Sequence, residues 1–402
     1  MSPAAPRRDG TVEHDRIVPI LALNSGSSSL KFGMYRVGPF LMEPLVTGEA
    51  ESIGEPAGRF WARDANGNEL CSETSPILSD RDAMLGIARV LATAGIPTPA
   101  AIGHRVVHGG PSLRDHCLID ASVLAVLDAA QAFAPVHSRA ALAVIRFAQG
   151  HYPGIPQVAC VDTAFHSHLP DVSRVLPVAR ELQADGIQRY GFHGLSCESI
   201  LRQLVPELPH HLIVAHLGHG ASVTAIADGR SIDTSMGLTP TGGVIMGTRS
   251  GDLDPGVLVY LVREKRYDAA TLEALVDHRS GLVGISGVSG DMRRLRAVAP
   301  SNASARLAID MFCYSVRKQI AAMTAALGGV DAIVFTGGIG EHDAAARAEI
   351  CDGLSWMGVR LDDARNRSAT NPISDPASGC AVLVLPSRED EQIVRHTWAL
   401  SG

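Results

Sequence analysis

Two short stretches, almost two hundred residues apart, follow one plan. LALNSGSSSLKF (21–32) and IVAHLGHGASVTAI (213–226) each run from an apolar strand through a polar residue and a Gly/Ser turn into a second strand. A third loop, IVFTGGIGEH (333–342), follows another apolar strand but leads into a helix. Backbone N–H groups in such turns form concave anion sites, which glycine lets a ligand approach closely. The two spaced glycines and terminal Gly-Lys-Ser/Thr of a P-loop are absent, and SSSLKFGMY continues as a strand. The ordered pair implies a duplicated fold with one phosphate hairpin in each half and a nucleotide between them.

The 402 residues suffice for two domains with separate cores. Hydrophobic residues make up 46% and charged residues 19%, which excludes an extensively disordered chain. Net charge is −7 and no Lys/Arg-rich run occurs, so no nucleic-acid footprint is expected. No apolar run reaches the roughly 18 residues a bilayer span needs, and no membrane association is expected. Residues 1–16 carry two arginines without an apolar core after them, and read as a loose tail rather than a secretory signal. Seven scattered cysteines without Cys-x-x-Cys suit a reducing, cytoplasmic setting.

Apolar β-branched runs alternate with helical periodicity, the pattern of an α/β fold. Strands are expected at 17–23, 30–35, 45–49, 101–107, 157–161, 212–216, 222–226, 332–336 and 381–385. Helices are expected at 80–94, 121–133, 139–149, 196–204, 255–261, 304–327 and 343–353. The longest carries an apolar stripe of Leu307, Met311, Phe312, Val316, Ile320, Met323 and Leu327, read as a core face.

Several polar residues sit where strands meet loops. Asn24, Ser27, Ser29 and Lys31 belong to the first hairpin, and alternation puts Ser29 and Lys31 on one face. In AIGHRVVHGGPS, Arg105 ends an apolar strand beside Gly-Gly, suiting a bidentate grip on carboxylate or phosphate. His137 precedes the expected 139–149 helix, as an anion ligand or a packed boundary residue. Asp162 ends another strand, as a metal-water partner, a base or a helix cap. His166 and His168 lack a third metal ligand nearby. His193 lies on a Gly-flanked loop, and Arg249 in the Gly-rich 235–255 segment, near Asp252 and Asp254 as local partners. Glu389 and Asp390 stand where the last strand turns into a last helix. No Ser/His/Asp elbow and no dinucleotide fingerprint is present, so phosphoryl transfer fits this inventory best.

LNSGSSSLKF, GHRVVHGG, APVH, VDTAFH, RYGFHG, HLGHGAS, MGTRSGDLDP, SGDMR and FTGGIGEH occur in this order, and the chain from about residue 17 onward resembles the acetate kinase family. The resemblance implies two duplicated domains of the actin-like ATPase (ribonuclease H-like) type with the active site between them. Residues 17–161 plus 387–402 would form the N-terminal domain, and 162–386 the nucleotide-binding C-terminal domain. It also implies a homodimer and reversible, direct in-line transfer of the ATP γ-phosphoryl group to acetate, giving acetyl phosphate and ADP. By motif, Asn24 and Glu389 would place Mg²⁺ (or Mn²⁺), and Ser27, Ser29 and Lys31 would line the phosphate path. Asp162 would serve as the catalytic acid, through the metal water or as base to the acetate. Arg105 and Arg249 would hold acetate and the transferring phosphoryl group, with His193 stabilising the transition state and His137 assisting. His216, Leu217, Gly218, His219 and Gly220 resemble the second phosphate loop. Asp291, Met292 and Arg293, with Gly338, Ile339, Gly340, Glu341 and His342, resemble the adenosine pocket. Val107, Val136, Phe192 and Pro240 would wall the methyl group. The chain departs from the family pattern at His219 and His342, each where asparagine is usual. Met292 replaces phenylalanine, Val136 leucine, and Arg388-Glu389-Asp390 replaces Asn-Glu-Glu. The same machinery with a roomier pocket would serve propionate or butyrate, and the same fold without this chemistry a nucleotide-binding regulator.

Overall fold

The computed structural model describes residues 17–26, 28–131, 133 and 135–402, with only the backbone of 135–137. The tail 1–16, Ser27 and the side chains of Val136 and His137 lie outside the described residues. Thirteen strands form two sheets among the described residues. In chain order they are β1 (Val18–Ser25), β2 (Leu30–Gly38), β3 (Leu41–Glu51), β4 (Arg59–Asp64), β5 (Glu69–Thr74), β6 (Ala101–Val106), β7 (Cys117–Leu118), β8 (Gln157–Val161), β9 (His211–Leu217), β10 (Ala221–Ala227), β11 (Arg230–Thr234), β12 (Ala332–Thr336) and β13 (Ala381–Val384).

The first sheet runs β5-β4-β3-β2-β1-β6-β8-β7 and the second β11-β10-β9-β12-β13. Five strands match across the two: β3-β2-β1-β6-β8 and β11-β10-β9-β12-β13 share order and direction. In each, an antiparallel three-strand meander precedes two strands parallel to its first. The duplication read from two hairpins therefore extends to whole sheets. The central parallel strands are the most buried, β8 and β12 at every position. A strand covered by helices on both faces must be apolar on both, which explains the continuous runs QVACV and AIVFT.

Helices cover both faces of each sheet. Asp80–Thr93 and Pro135–His151 pack on one side of the first, with Met84, Ile87 and Val144 meeting Leu21, Phe32 and Ile102. On its other side the last helix, Glu389–Ser401, sets Ile393 and Val394 against Ile20, Val158 and Cys160. The 25-residue helix Ala303–Leu327 covers one face of the second sheet. The helix Gly194–Leu204 joins both cores: Leu195 packs with Ile393 and Val158, while Cys197 and Ile200 pack with Leu212 and Val214.

Some expectations need correction. Pro135 opens its helix, so His137 stands in the first turn rather than before it. On Ala303–Leu327, Leu307 and Met311 are 52% and 38% exposed; Ala305, Ala308 and Ile309 take the buried positions beside Phe312 and Val316. Small residues let that helix approach the sheet closely, and a count of large apolar side chains does not register them.

Candidate active site

The carboxyl ends of β1, β6, β8, β9, β12 and β13 converge on one cleft of about 730 Å³ between the sheets. Its lining includes Asn24, Ser29, Lys31, Arg105, Val107, Asp162, Phe192, His193, His216, Gly218, His219, Gly220, Pro240, Arg249, Gly338, Glu341, His342 and Glu389. Eighteen residues singled out by motif thus share one wall. Parallel strands end at the same edge of a sheet, so loops distant in sequence must meet there.

Arg105 organises the floor. Its Nε and Nη2 donate to Asp162 Oδ2 at 2.9 and 2.6 Å, and Nη1 donates to Asn24 Oδ1 at 3.2 Å. Asp162 therefore does not cap the short helical turn that follows it. Asn24 Nδ2 donates to Glu389 Oε2 at 3.1 Å and to Asp390 Oδ1 at 3.0 Å. Burial pushes the Asp162 and Asp390 carboxyls up from their ordinary range, partly offset by Arg105 at Asp162 and by Asn24 at Asp390. Glu389 goes the other way: burial opposes its ionisation, but Arg105 and His216 outweigh it and hold it low. Burial also works against Arg105, and Asp162 and Glu389 more than restore its charge. Two carboxylates turned to one amide give the all-oxygen donor set that suits a hard divalent cation, which ordinarily takes one or two carboxylates plus phosphate oxygens.

The loop before the helix Gly194–Leu204 and the end of β9 supply the imidazoles. His193 takes φ +59°, a left-handed position immediately before the helix Gly194–Leu204. Its Nδ1 bonds Ser222 Oγ at 2.9 Å, and its ring stacks on His216 with centroids 4.1 Å apart. His216 Nδ1 is held by Ser196 Oγ at 2.8 Å. Burial drives His193 well below the ordinary histidine range, aided by His216, Arg105 and Arg249, so its ring is neutral and Nε2 faces the cleft as a hydrogen-bonding group. A Cβ on Gly220 would stand 3.2 Å from His193 Nε2 and 3.3 Å from Arg249 Nη1, close enough to press on both groups. Arg249 Nη1 donates to the Pro240 carbonyl at 3.0 Å, and burial lowers the guanidinium from its ordinary value. Asp252 and Asp254 serve as a turn acceptor for Gly243 N–H and as the cap of the helix Pro255–Lys265. Burial lowers His219 too, and its ring lies beside Gly247.

Other motif residues lie off the lining. Leu217 is buried in the core, as is Met292, while Gly340 is buried and Ile339 packs against that core. Asp291 caps the helix Met292–Val298 and pairs with the exposed Arg293 at 2.7 Å. The helix Gly337–His342 is tied down by Glu341, whose Oε1 accepts from Gly337 N and Ser387 N at 3.0 Å each. Sequence reasoning left out Asp390, Ser196 and Ser222 as site residues. Asp390 carried a signal, one step from Glu389 in an acidic run. The serines carried none, because their role is set by which strand or helix turn faces a histidine.

Matched halves around a cleft of Gly loops, arginines and acids define a phosphotransferase of the actin-like ATPase fold. The chain belongs to the acetokinase family, whose sequence pattern it matches over residues 19–395. It is 40% identical to an acetate kinase of Thermosynechococcus vestitus, over 94% of this chain and 97% of the relative. It is 41% identical to one of Nitrobacter hamburgensis, over 95% and 96% of the two chains. Among solved structures it is similar to a propionate kinase from Francisella tularensis (36% identity, TM-score 0.88, 95% of this chain and 100% of that) and to Porphyromonas gingivalis acetate kinase (33% identity, TM-score 0.84, 96% and 100%).

Proposed function

We infer that this phosphotransferase passes the γ-phosphoryl group of ATP directly and reversibly to acetate, giving acetyl phosphate and ADP. The observation that carries the reading is the continuous network Asp162–Arg105–Asn24–Glu389/Asp390, which faces His193, Arg249 and the Gly218–Gly220 loop across one cleft. An acetate oxygen attacks the γ-phosphorus as the bond to the β,γ-bridging oxygen breaks and ADP departs. Acetate is already a carboxylate and requires no deprotonation. What it requires is neutralised charge as it meets an anionic phosphate. Arg105 and Arg249 supply that, and neutral His193 donates from Nε2 to a phosphoryl oxygen. Asp162 holds the Arg105 fork in one orientation. Glu389 and Asp390, oriented by Asn24, would hold Mg²⁺, which when bound would offset phosphate charge. Ser29, Lys31 and the Gly218–Gly220 backbone guide the phosphates, with His137 and Ser27 assigned by motif. Glu341 and His342 border the nucleoside side, to which Asp291–Arg293 are assigned by motif.

Val107, Phe192 and Pro240 supply apolar wall for the acyl chain, with Val136 assigned by motif. Such a pocket discriminates by roughly 1–3 kcal/mol per methylene, so propionate is expected to be the poorer substrate. The proposed domains are 17–161 with 387–402, and 162–386. Exposed Leu253, Val257, Val259, Tyr260 and Val262 support a homodimer, and seven unpaired cysteines support a cytoplasmic setting. No helix of the described residues is long and apolar enough to cross a membrane.

The test is to incubate the protein with acetate, ATP and Mg²⁺ and trap acyl phosphate with hydroxylamine, then repeat with propionate and butyrate. Trapped product that disappears with EDTA is expected. A higher kcat/KM for butyrate than for acetate would overturn the acceptor, and no product with any acid would overturn the reading.

A further inference from the structure

Behind the catalytic floor, away from the cleft lining, lies a second cluster of titratable groups. Glu198 accepts from His396 Nε2 at 2.6 Å, from His116 Nε2 at 3.3 Å and from Gln392 Nε2 at 3.1 Å. The two imidazole rings stand 3.7 Å apart, and all three titratable side chains are less than a quarter exposed. Their donor atoms are close enough to suggest a metal trio. The hydrogen bonds argue otherwise. Val161 N–H donates to His116 Nδ1 at 2.9 Å, so the ring proton sits on Nε2, the atom a metal would need bare. The cluster is instead one carboxylate held by His116, His396 and Gln392, with Gln392 Nε2 also 2.9 Å from His396 Nε2. Burial alone would raise Glu198, but the bonds from His116 and His396 outweigh it and bring it down to about 2.

What these side chains join is more telling than what they are. Glu198 lies little more than a turn into the helix whose first turn follows His193. His396 and Gln392 ride the last helix, which begins at Glu389 and Asp390. His116 grips the peptide N–H immediately before Asp162. Gly194 and Leu195 N–H groups in turn point to the Asp162 carbonyl and carboxylate, at 3.0 and 3.4 Å. Two helices that each begin at active-site residues therefore meet at one carboxylate, which His116 ties in turn to the end of β8.

We propose that Glu198 is a positioning residue for phosphoryl transfer, locking with His116 and His396 the helix behind His193 to the helix behind Glu389 and to the strand end at Asp162. This rests on the functional reading above. The lock holds catalytic groups of the two halves in register, where misplacement by about 1 Å can cost 10²-fold.

The test pairs Glu198→Gln, which keeps the shape and removes the charge, with His396→Gln and the double variant. Each single variant is expected to lower kcat by about 10- to 100-fold, with ATP affinity by calorimetry within about threefold. The double variant should be no slower than the slower single, because one unit fails once. Amide exchange read by mass spectrometry should rise in 157–162 and 389–401, with β9 and β10 unchanged. Wild-type kcat in Glu198→Gln, multiplying effects in the double variant, or unchanged exchange in both segments would each overturn the lock. So would a loss of kcat matched by an equal loss of ATP affinity. Should Glu198→Gln fail to fold, His396→Gln decides by the same readings. If the unaltered chain forms no acetyl phosphate, the functional reading fails, and the exchange data still decide the lock.

Discussion

Arg105 shows how one side chain can serve both stability and chemistry. Asp162 is fully buried and its partner guanidinium is 15% exposed, so each neutralises a charge that water barely reaches. Removing one member of such a pair strands the other, at about 3–5 kcal/mol. Arg105→Ala is therefore expected to lower the denaturation midpoint and to cut kcat by roughly 10²–10³, the usual loss when a preorganised charge leaves a transition state. ATP binding, measured directly, should survive in the folded fraction. Near-normal acetyl phosphate formation would remove Arg105 from the mechanism. Gly220 poses the complementary case, in which an added atom does the damage. Its missing Cβ lies within 3.3 Å of both His193 Nε2 and Arg249 Nη1. Gly220→Ala should leave thermal stability within about 1 kcal/mol, since the site borders open cleft, yet reduce kcat about tenfold by displacing both groups. An unchanged kcat would show that the loop yields without disturbing them.

At the scale of elements, what the sequence shows depends on whether a signal is local. The hairpins β1–β2 and β9–β10 were legible because strand, turn and strand are contiguous, and the pairing Asn24↔Lys31 follows from the turn itself. Strands β4 and β5, RFWARD and ELCSET, went unread because the apolar Trp61 between the buried Phe60 and Ala62 masks the alternation of the first, and the second is mostly exposed. The helix Ala269–His278 has no fully buried residue and so no stripe. The same limit hides Arg347. It is 1% exposed, donates to the carbonyls of Gly340 and Glu341 at 2.9 and 3.0 Å, and is braced by Asn366 at 2.8 Å. Nothing local marks it as the clamp on the helix Gly337–His342. Arg347→Met should free that helix and raise the KM for ATP roughly tenfold, the equivalent of about one good hydrogen bond. The KM for acetate should move less than twofold. Equal changes in both would mean that the clamp acts on the whole cleft.

For the molecule as a whole, the duplicated architecture also determines how it meets acid. Packing two sheets and their helices around one cleft buries histidines as well as carboxylates. His104 is held by Gln157 at 2.8 Å, His108 lies against the Leu238 carbonyl at 3.2 Å, and His166 bridges Ser231 and the Phe192 carbonyl at 2.8 and 3.0 Å. Burial lowers each of the three from the ordinary 6.5 to about 4. The unfolded chain takes up these protons below 6.5 and the folded chain does not, so the unfolded state gains as pH falls. Stability is full above about 6.5 and is lost on descending through the folded values near 4. Each ring contributes a slope of about 1.4 kcal/mol per pH unit in that window, so the three together give on the order of 4 kcal/mol per unit. Urea midpoints between pH 7 and 5 measure this slope directly. A flat profile would mean that these rings accept protons in place, which would require water to reach the core beside β6 and beneath the loop that carries His193. His193 is held neutral by the same burial, so its ring is expected to stay a neutral hydrogen-bonding group while the fold persists.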